Sequence, residues 1–246
     1  MAAILYAVFI DWNNDGDFSD AEEAITDDVI EMSWRAGGRD YASQLTGRSV
    51  SGFCTLTVNN ITGKYSSFNT ASPIYGNILP GRPIRITMDV DAAIMFEGFL
   101  DTIEPQPSLS GVHRAIIRGI GPFARLAQRK INIALQQNKR SDEVITEILD
   151  KAGWPAADRV LDTGLTTLKW FTTGGKIDAL SALREIEGAE FGFINEDKSG
   201  NIVFHNRHHR MTTSISITSQ ATLSDSTAAA LRYSAIKQLD PLKEIF

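Results

Sequence analysis

Cysteine is nearly missing from this 246-residue chain: Cys54 stands alone, so no internal disulfide framework exists. Its neighbours Phe53, Thr55 and Leu56 mark it as a buried thiol on a strand rather than a nucleophile. A positively charged opening segment is also missing. The start, MAAILYAVFID, has no base ahead of its apolar run, and that run ends at Asp11. It is neither a secretory signal nor a membrane span, so the expectation is a protein made and folded in a cytoplasm, wherever it later works. Basic residues are absent from 1–31, which hold nine acids: Asp11, Asp15, Asp17, Asp20, Glu22, Glu23, Asp27, Asp28 and Glu31. The net charge of −6 is therefore local, because 24 bases face only 21 acids over the rest. No basic stretch is dense enough for a primary nucleic-acid binder.

Catalytic signatures are lacking too. G-x-S-x-G, H-E-x-x-H and Cys–His pairings do not occur, and no glycine-rich phosphate loop follows a strand. Gly37-Gly38 and Gly174-Gly175 read as loop glycines. The tract H-N-R-H-H-R, with His205, His208 and His209, has no Cys or acid at ligand spacing, so surface or interface packing is expected. Glu185, Glu187 and Glu190 read as a solvated helix face rather than a glycosidase pair.

The apolar share, 43% of residues, is enough for a packed core, in one large β-rich domain or two of ordinary size. The most specific pattern is residues 11–22, DWNNDGDFSDAE, which match the twelve-residue calcium loop D-x-[DN]-x-[DN]-G-x5-E at each specified position. Asp11, Asn13 and Asp15 would offer side-chain oxygens and Asp17 its carbonyl. Ser19 would hold a bridging water, Glu22 would close the shell with two oxygens, and Gly16 would make the turn. Phe18 is expected to pack inward and anchor the loop. Because Ile4–Ile10 reads as a strand, the loop is expected to be a rigid Ca2+ clip and not a helix–loop–helix sensor. The alternative is an Asx-rich surface turn bonded to its own backbone.

Strands are expected over Ile4–Ile10, Val29–Arg35, Val50–Val58, Pro83–Val90, Ile94–Ile103 and Val112–Ile120, suggesting a small barrel or sandwich. Two long connections, 36–49 and 59–81, interrupt them, and loops of that length are usually functional. From about Gly121 the pattern is mixed α/β: a short helix over Phe123–Arg129, a helix capped by Ser141, and a helix over Asp178–Gly188. A hairpin follows, with strands Phe191–Asn195 and Asn201–Asn206. Thr213–Thr218 and Ala230–Ala235 are β-prone.

Three segments carry a family resemblance: Thr46-Gly47-Arg48, the connection N-x-x-G-x-Y-S-x-F-N at Asn60–Asn69, and P-G-R-P-I-R-I at Pro80–Ile86. With the D-W-N-x-D-G-D-F start, they resemble the N-terminal domain of phage tail-tip and baseplate-hub proteins. S-D-E-V-I…L-D-x-A-G-W-P at 141–155, Trp170 with Gly174, E-F-G-F-I at 190–194 and G-x-I-x-F at 200–204 resemble the insertion domain of the same hubs. The fold class implied is α+β, mainly β. A tail-tube-like β-barrel or sandwich would fill 1–120, an α/β insertion domain 121–210, and the start of a second, truncated β-barrel 211–246.

The resemblance further implies a homotrimeric ring in the virion tail, related to contractile-phage baseplate hubs and type VI secretion spikes. Its partners would be tail-tube or distal tail proteins, the tape-measure protein and tip or receptor-binding proteins. Genomic DNA would pass through its channel without sequence-specific binding. The loops at 36–49 and 59–81, flanked by Arg35, Arg39, Arg48, Arg82 and Arg85, would form inter-subunit contacts. Two other readings stay open: a calcium-stabilised receptor- or carbohydrate-binding β-module of a tail, and a cell-wall hydrolase fragment. The first predicts an exposed aromatic platform, whereas Trp12, Trp34, Trp154 and Trp170 are dispersed. The second lacks a matching active-site constellation.

Overall fold

A computed structural model of the chain describes residues 5–39, 49–88, 93–108 and 111–219. The chain divides into two compact units, Met1–Arg207 and His208–Phe246. The first holds two hydrophobic cores, one built from residues 8–117 and the other from 123–204.

Among the described residues, eight strands make the first half: β1 (Tyr6–Ile10), β2 (Val29–Arg35), β3 (Gly38–Arg39), β4 (Ser49–Val50), β5 (Phe53–Asn59), β6 (Pro83–Met88), β7 (Ala93–Gln106) and β8 (Arg114–Ile120). Six form one antiparallel sheet in the order β1-β6-β7-β8-β5-β2, while β3 pairs with β4. Alternation decides which side chains point inward. Cys54, Leu56 and Val58 on β5, and Ile84 and Ile86 on β6, are buried, while Arg85 lies on the other face and forks onto Glu97 of β7. Each such aliphatic side chain contributes about 1.5–3 kcal/mol by leaving water. Register shifts at Val29/Glu31, Ile86/Thr87 and Leu100/Thr102 add local twist, and the sheet curls into a half-barrel.

The second half consists of α1 (Pro122–Gln128), β9 (Lys130–Ile131), β10 (Gln136–Arg140), α2 (Ser141–Lys151), β11 (Arg159–Leu161), β12 (Thr167–Phe171), β13 (Ile177–Asp178), α3 (Ala179–Glu190), β14 (Phe193–Glu196) and β15 (Ile202–His205). Val144, Ile145, Ile148 and Leu149 of α2 meet Leu183 and Ile186 of α3 over Ile194 and Phe204 of the hairpin. Gly153 adopts φ +68°, the left-handed conformation that ends α2, and Trp154 behind it packs edge-on against Phe99. The Asp178 carboxylate caps α3 by accepting the Ser181 N–H at 2.8 Å.

The mainly-β α+β class agrees with expectation, as do the six long strands, to within a few residues at their ends. Three local readings change. Ser141 is the first residue of α2 and not its cap. Its hydroxyl is buried and donates to Glu190 at 2.8 Å, while the Arg140 N–H is accepted by Glu143. Glu187 and Glu190 are not solvated: both are buried with hydrogen-bond partners, and of the three only Glu185 faces water. Residues Ser214–Ile217 form a helical turn (α5), after a similar turn at His209–Thr212 (α4), where Thr213–Thr218 was expected to be β-prone. The Ser-Ile-Ser-Ile alternation there suits a strand, but local bonds hold the run as a turn: the Thr213 carbonyl accepts the N–H groups of Ser216 and Ile217. The rest of the expected second β-domain, with Ala230–Ala235, lies outside the described residues, as does most of the 36–49 loop, with Arg48.

Candidate functional site

The loop 11–22 leaves β1 with its first carboxylate buried. Asp11 is 0% exposed and accepts the N–H groups of Asn14 and Gly16, the two bonds that curl the chain back. Gly16, at φ +95°, takes the turn its place requires. Asn13, Asp15, Asp17 and Ser19 ring the exposed side. The Asn13 amide donates to Asp15 and Asp20, and Asp17 accepts from the N–H and hydroxyl of Ser19. The Ser19 backbone bond and then its hydroxyl hold the Asp17 carboxyl below the usual carboxylate range. Phe18 is half-buried; its ring meets Phe9 and lies under the Arg85 guanidinium, 4.2 Å from the ring centre.

Asp11, Asn13 and Asp15 thus share one loop, but Glu22 points elsewhere. Its backbone is left-handed (φ +72°) and its carboxylate lies 2.7 Å from Lys64 Nζ. The next residue takes the inward place. Glu23 is 1% exposed, Oε2 accepts the Asp20 N–H at 3.1 Å, and Oε1 is buried without a partner. Burial pushes its carboxyl above the usual range; Asp11, Asp20 and Asp15 add to the push, while the Asp20 bond opposes it. Among the described residues no three Asp, Glu, His or Cys side chains converge closely enough to hold a metal in this conformation.

Lys64 ties this loop to the connection 59–81. Its ammonium reaches Glu22 and, at 3.2 Å, Asp28. Burial opposes the Lys64 charge, but the two carboxylates outweigh it and raise its pKa. Tyr65 is fully buried, donates to Asp28 at 2.5 Å and stacks obliquely on Trp12, whose indole N–H donates to the Glu22 carbonyl. Successive turns closed by Asn60, Asn69 and Ser72 order the connection. It plugs the β-core with Tyr65 and Ile74 and leaves Ile61, Phe68, Tyr75 and Leu79 outside, Phe68 being 94% exposed. Of the arginines expected to serve interfaces, Arg85 is paired within the chain to Glu97, and Arg82 donates to the Asn77 carbonyl.

Another buried carboxylate sits between the cores. Glu196 accepts the Gly52 N–H, the Phe123 N–H at 2.7 Å and the Ser51 hydroxyl at 3.3 Å. Burial raises its pKa against those bonds. A Cβ on Gly37 or Gly121 would lie 2.0 or 2.2 Å from its side-chain atoms, so glycine makes the space. Beside it Arg184 donates to the Ser49 carbonyl at 2.6 Å, pairs with Glu187 at 2.7 Å and covers the Phe123 ring. Sequence reasoning had not singled out Glu196, Arg184 or Glu23; the glycines were the available signal for the first. Cys54 is buried as expected, and burial pushes its thiol up to about 12.

No protein-family model matches this chain, and no curated protein matches it in sequence. Solved structures do match in fold. The 43 kDa tail protein of prophage MuSo2 from Shewanella oneidensis aligns with a TM-score of 0.54 at 12% identity, over 82% of this chain and 53% of that one. A tail protein from Neisseria meningitidis gives 0.51 at 12% identity, over 81% and 50%. A chain of the Francisella PdpA–VgrG complex gives 0.52 at 14% identity, over 89% and 30%. This chain thus spans about half the length of the two tail proteins and less of the third. The fold shared with these tail proteins, and with a chain of the PdpA–VgrG complex, agrees with the resemblance carried by the loop motifs.

Proposed function

We propose that this chain is part of a structural tail protein: a tip or baseplate hub that forms a trimeric ring, joins the tail tube to the tip and lines the channel for DNA. Its place is the virion tail, among tube, tape-measure and tip proteins, and its role is assembly rather than catalysis. The single observation that carries this reading is the fold shared with tail proteins across both cores of the first unit. The connection 59–81 supplies the contact surface. It is anchored from beneath by Tyr65 and Ile74, and it holds Phe68 and Tyr75 out in water, an apolar display that a partner would cover.

The double variant Phe68→Glu/Tyr75→Glu tests the surface. Light scattering should read a trimer for the natural chain and a monomer for the variant, with melting temperature nearly unchanged because both side chains are exposed. A trimer that survives the substitution sinks the interface; a monomeric natural chain sinks the ring for this chain.

A further inference from the structure

We infer that the acidic loop binds a calcium ion whose shell is closed by Glu23, the residue after the twelfth loop position, while Glu22 serves as the anchor for Lys64. The inference stands apart from the tail reading, because it concerns only the chemistry within residues 11–23 and their neighbours.

Two carboxylates of this segment are buried. Asp11 is fully buried and Glu23 1% exposed, and among the described residues neither forms an ion pair. Asp11 spends its oxygens on the N–H groups of Asn14 and Gly16, which orient it as the root of the loop. The Glu23 carboxylate is half used. Oε2 is fixed by the Asp20 N–H, and Oε1 is buried with nothing to bond. An unpaired buried carboxylate oxygen is costly, and a hard cation that takes six to eight oxygens would relieve it.

The donor set suits calcium. Oxygens of Asp11, Asn13, Asp15 and the Asp17 carbonyl precede Glu23 in the loop, and neither sulfur nor imidazole is among them. The exposed members are held by weak local turns: Asp15 and Asp17 carboxylates accept from residues two positions on. Rotating Asp15 and Asn13 inward breaks only bonds within the loop, among them those from the Asn13 amide to Asp15 and Asp20. Glu22 cannot join without abandoning Lys64, which also holds Asp28 and, through it, the 59–81 connection. The two adjacent glutamates therefore divide the work, Glu23 toward the ion and Glu22 toward the neighbouring loop.

Terbium serves as the probe, since its luminescence is sensitised by an indole and Trp12 lies within the loop; calcium then displaces it. The natural chain should show terbium emission quenched by calcium and a higher melting temperature in calcium than in chelator. Glu23→Gln should weaken calcium binding by a factor on the order of 10 or more, and Glu22→Gln by less than about twofold. The reverse ranking, or a natural chain that ignores calcium at concentrations on the order of 1 mM, overturns the inference. Should Glu23→Gln fail to fold, Glu23→Asp keeps the charge and withdraws it by one methylene. Several-fold weaker binding then supports the assignment, and unchanged binding overturns it.

Discussion

Glu23 and Glu196 are both buried glutamates, each 1% exposed, and burial raises the pKa of each. Their surroundings differ in one respect. Glu196 meets N–H donors from Gly52 and Phe123 and a hydroxyl from Ser51, all contributed by other segments, so its charge is spread into the peptide groups where the two cores join. Glu23 has one backbone donor and one empty oxygen, and its nearest charged neighbours are acids. Burial alone therefore does not say what a carboxylate is for. The count of donors does: a satisfied group is a joint, and an orphaned one is half of a site.

The comparison breaks first at Glu196. Truncation to alanine leaves the Gly52 and Phe123 N–H groups buried without acceptors, at about 1–3 kcal/mol each, and opens a cavity besides. A loss of roughly 3–5 kcal/mol in urea unfolding is expected. A loss under about 1 kcal/mol would mean that water replaces the carboxylate and that no joint exists.

Glu190 sharpens the contrast from the other side. It too is buried, and burial works against its charge, but the Ser141 hydroxyl, the Thr166 N–H and the Leu165 N–H together pull its pKa below the usual range. With its folded pKa depressed, Glu190 contributes stability that is present above the ordinary carboxylate pKa and lost as pH falls through the folded value. Glu190→Gln should therefore cost roughly 1.5–3 kcal/mol at neutral pH, the range for hydrogen bonds to a charged group, and flatten the acid limb of the stability curve. An acid limb of unchanged slope would count against that role.

What was legible in the sequence follows from the range of the forces involved. Alternation over 53–59 and 83–88 reports a two-sided strand directly, so the long strands and the 193–205 hairpin could be read in advance. Gln136–Arg140, QQNKR, has no strand propensity; it is a strand because Thr167–Phe171 bonds to it. The donors that bury Glu190 and Glu196 come from 24 and more residues away along the chain, so Glu190 read as part of a solvated helix face and Glu196 drew no reading. In the acidic loop the letters matched a pattern that counts positions and ignores φ. The left-handed backbone at Glu22 turned the twelfth residue outward and brought the thirteenth in.

That inversion gives the smallest effect and the one of opposite sign. In calcium-free buffer Glu23→Gln removes an uncompensated buried charge while preserving shape, so the variant should be more stable than the natural chain by about 1 kcal/mol. Because the folded pKa of Glu23 is raised, the stability carried by its protonated form is fully present below the ordinary carboxylate pKa and is lost as pH rises through the folded value. Glutamine imitates the protonated form at every pH. The advantage of the variant should therefore be seen at neutral pH and shrink to nothing as the solution is acidified into the usual carboxylate range. Saturating calcium should reverse it, since only the natural chain then gains the ion. Urea titrations of both proteins at two pH values, with and without calcium, separate these cases. A Glu23→Gln variant that is destabilised in chelator at neutral pH would show that the free oxygen is satisfied after all, and would move Glu23 to the same side of the comparison as Glu196.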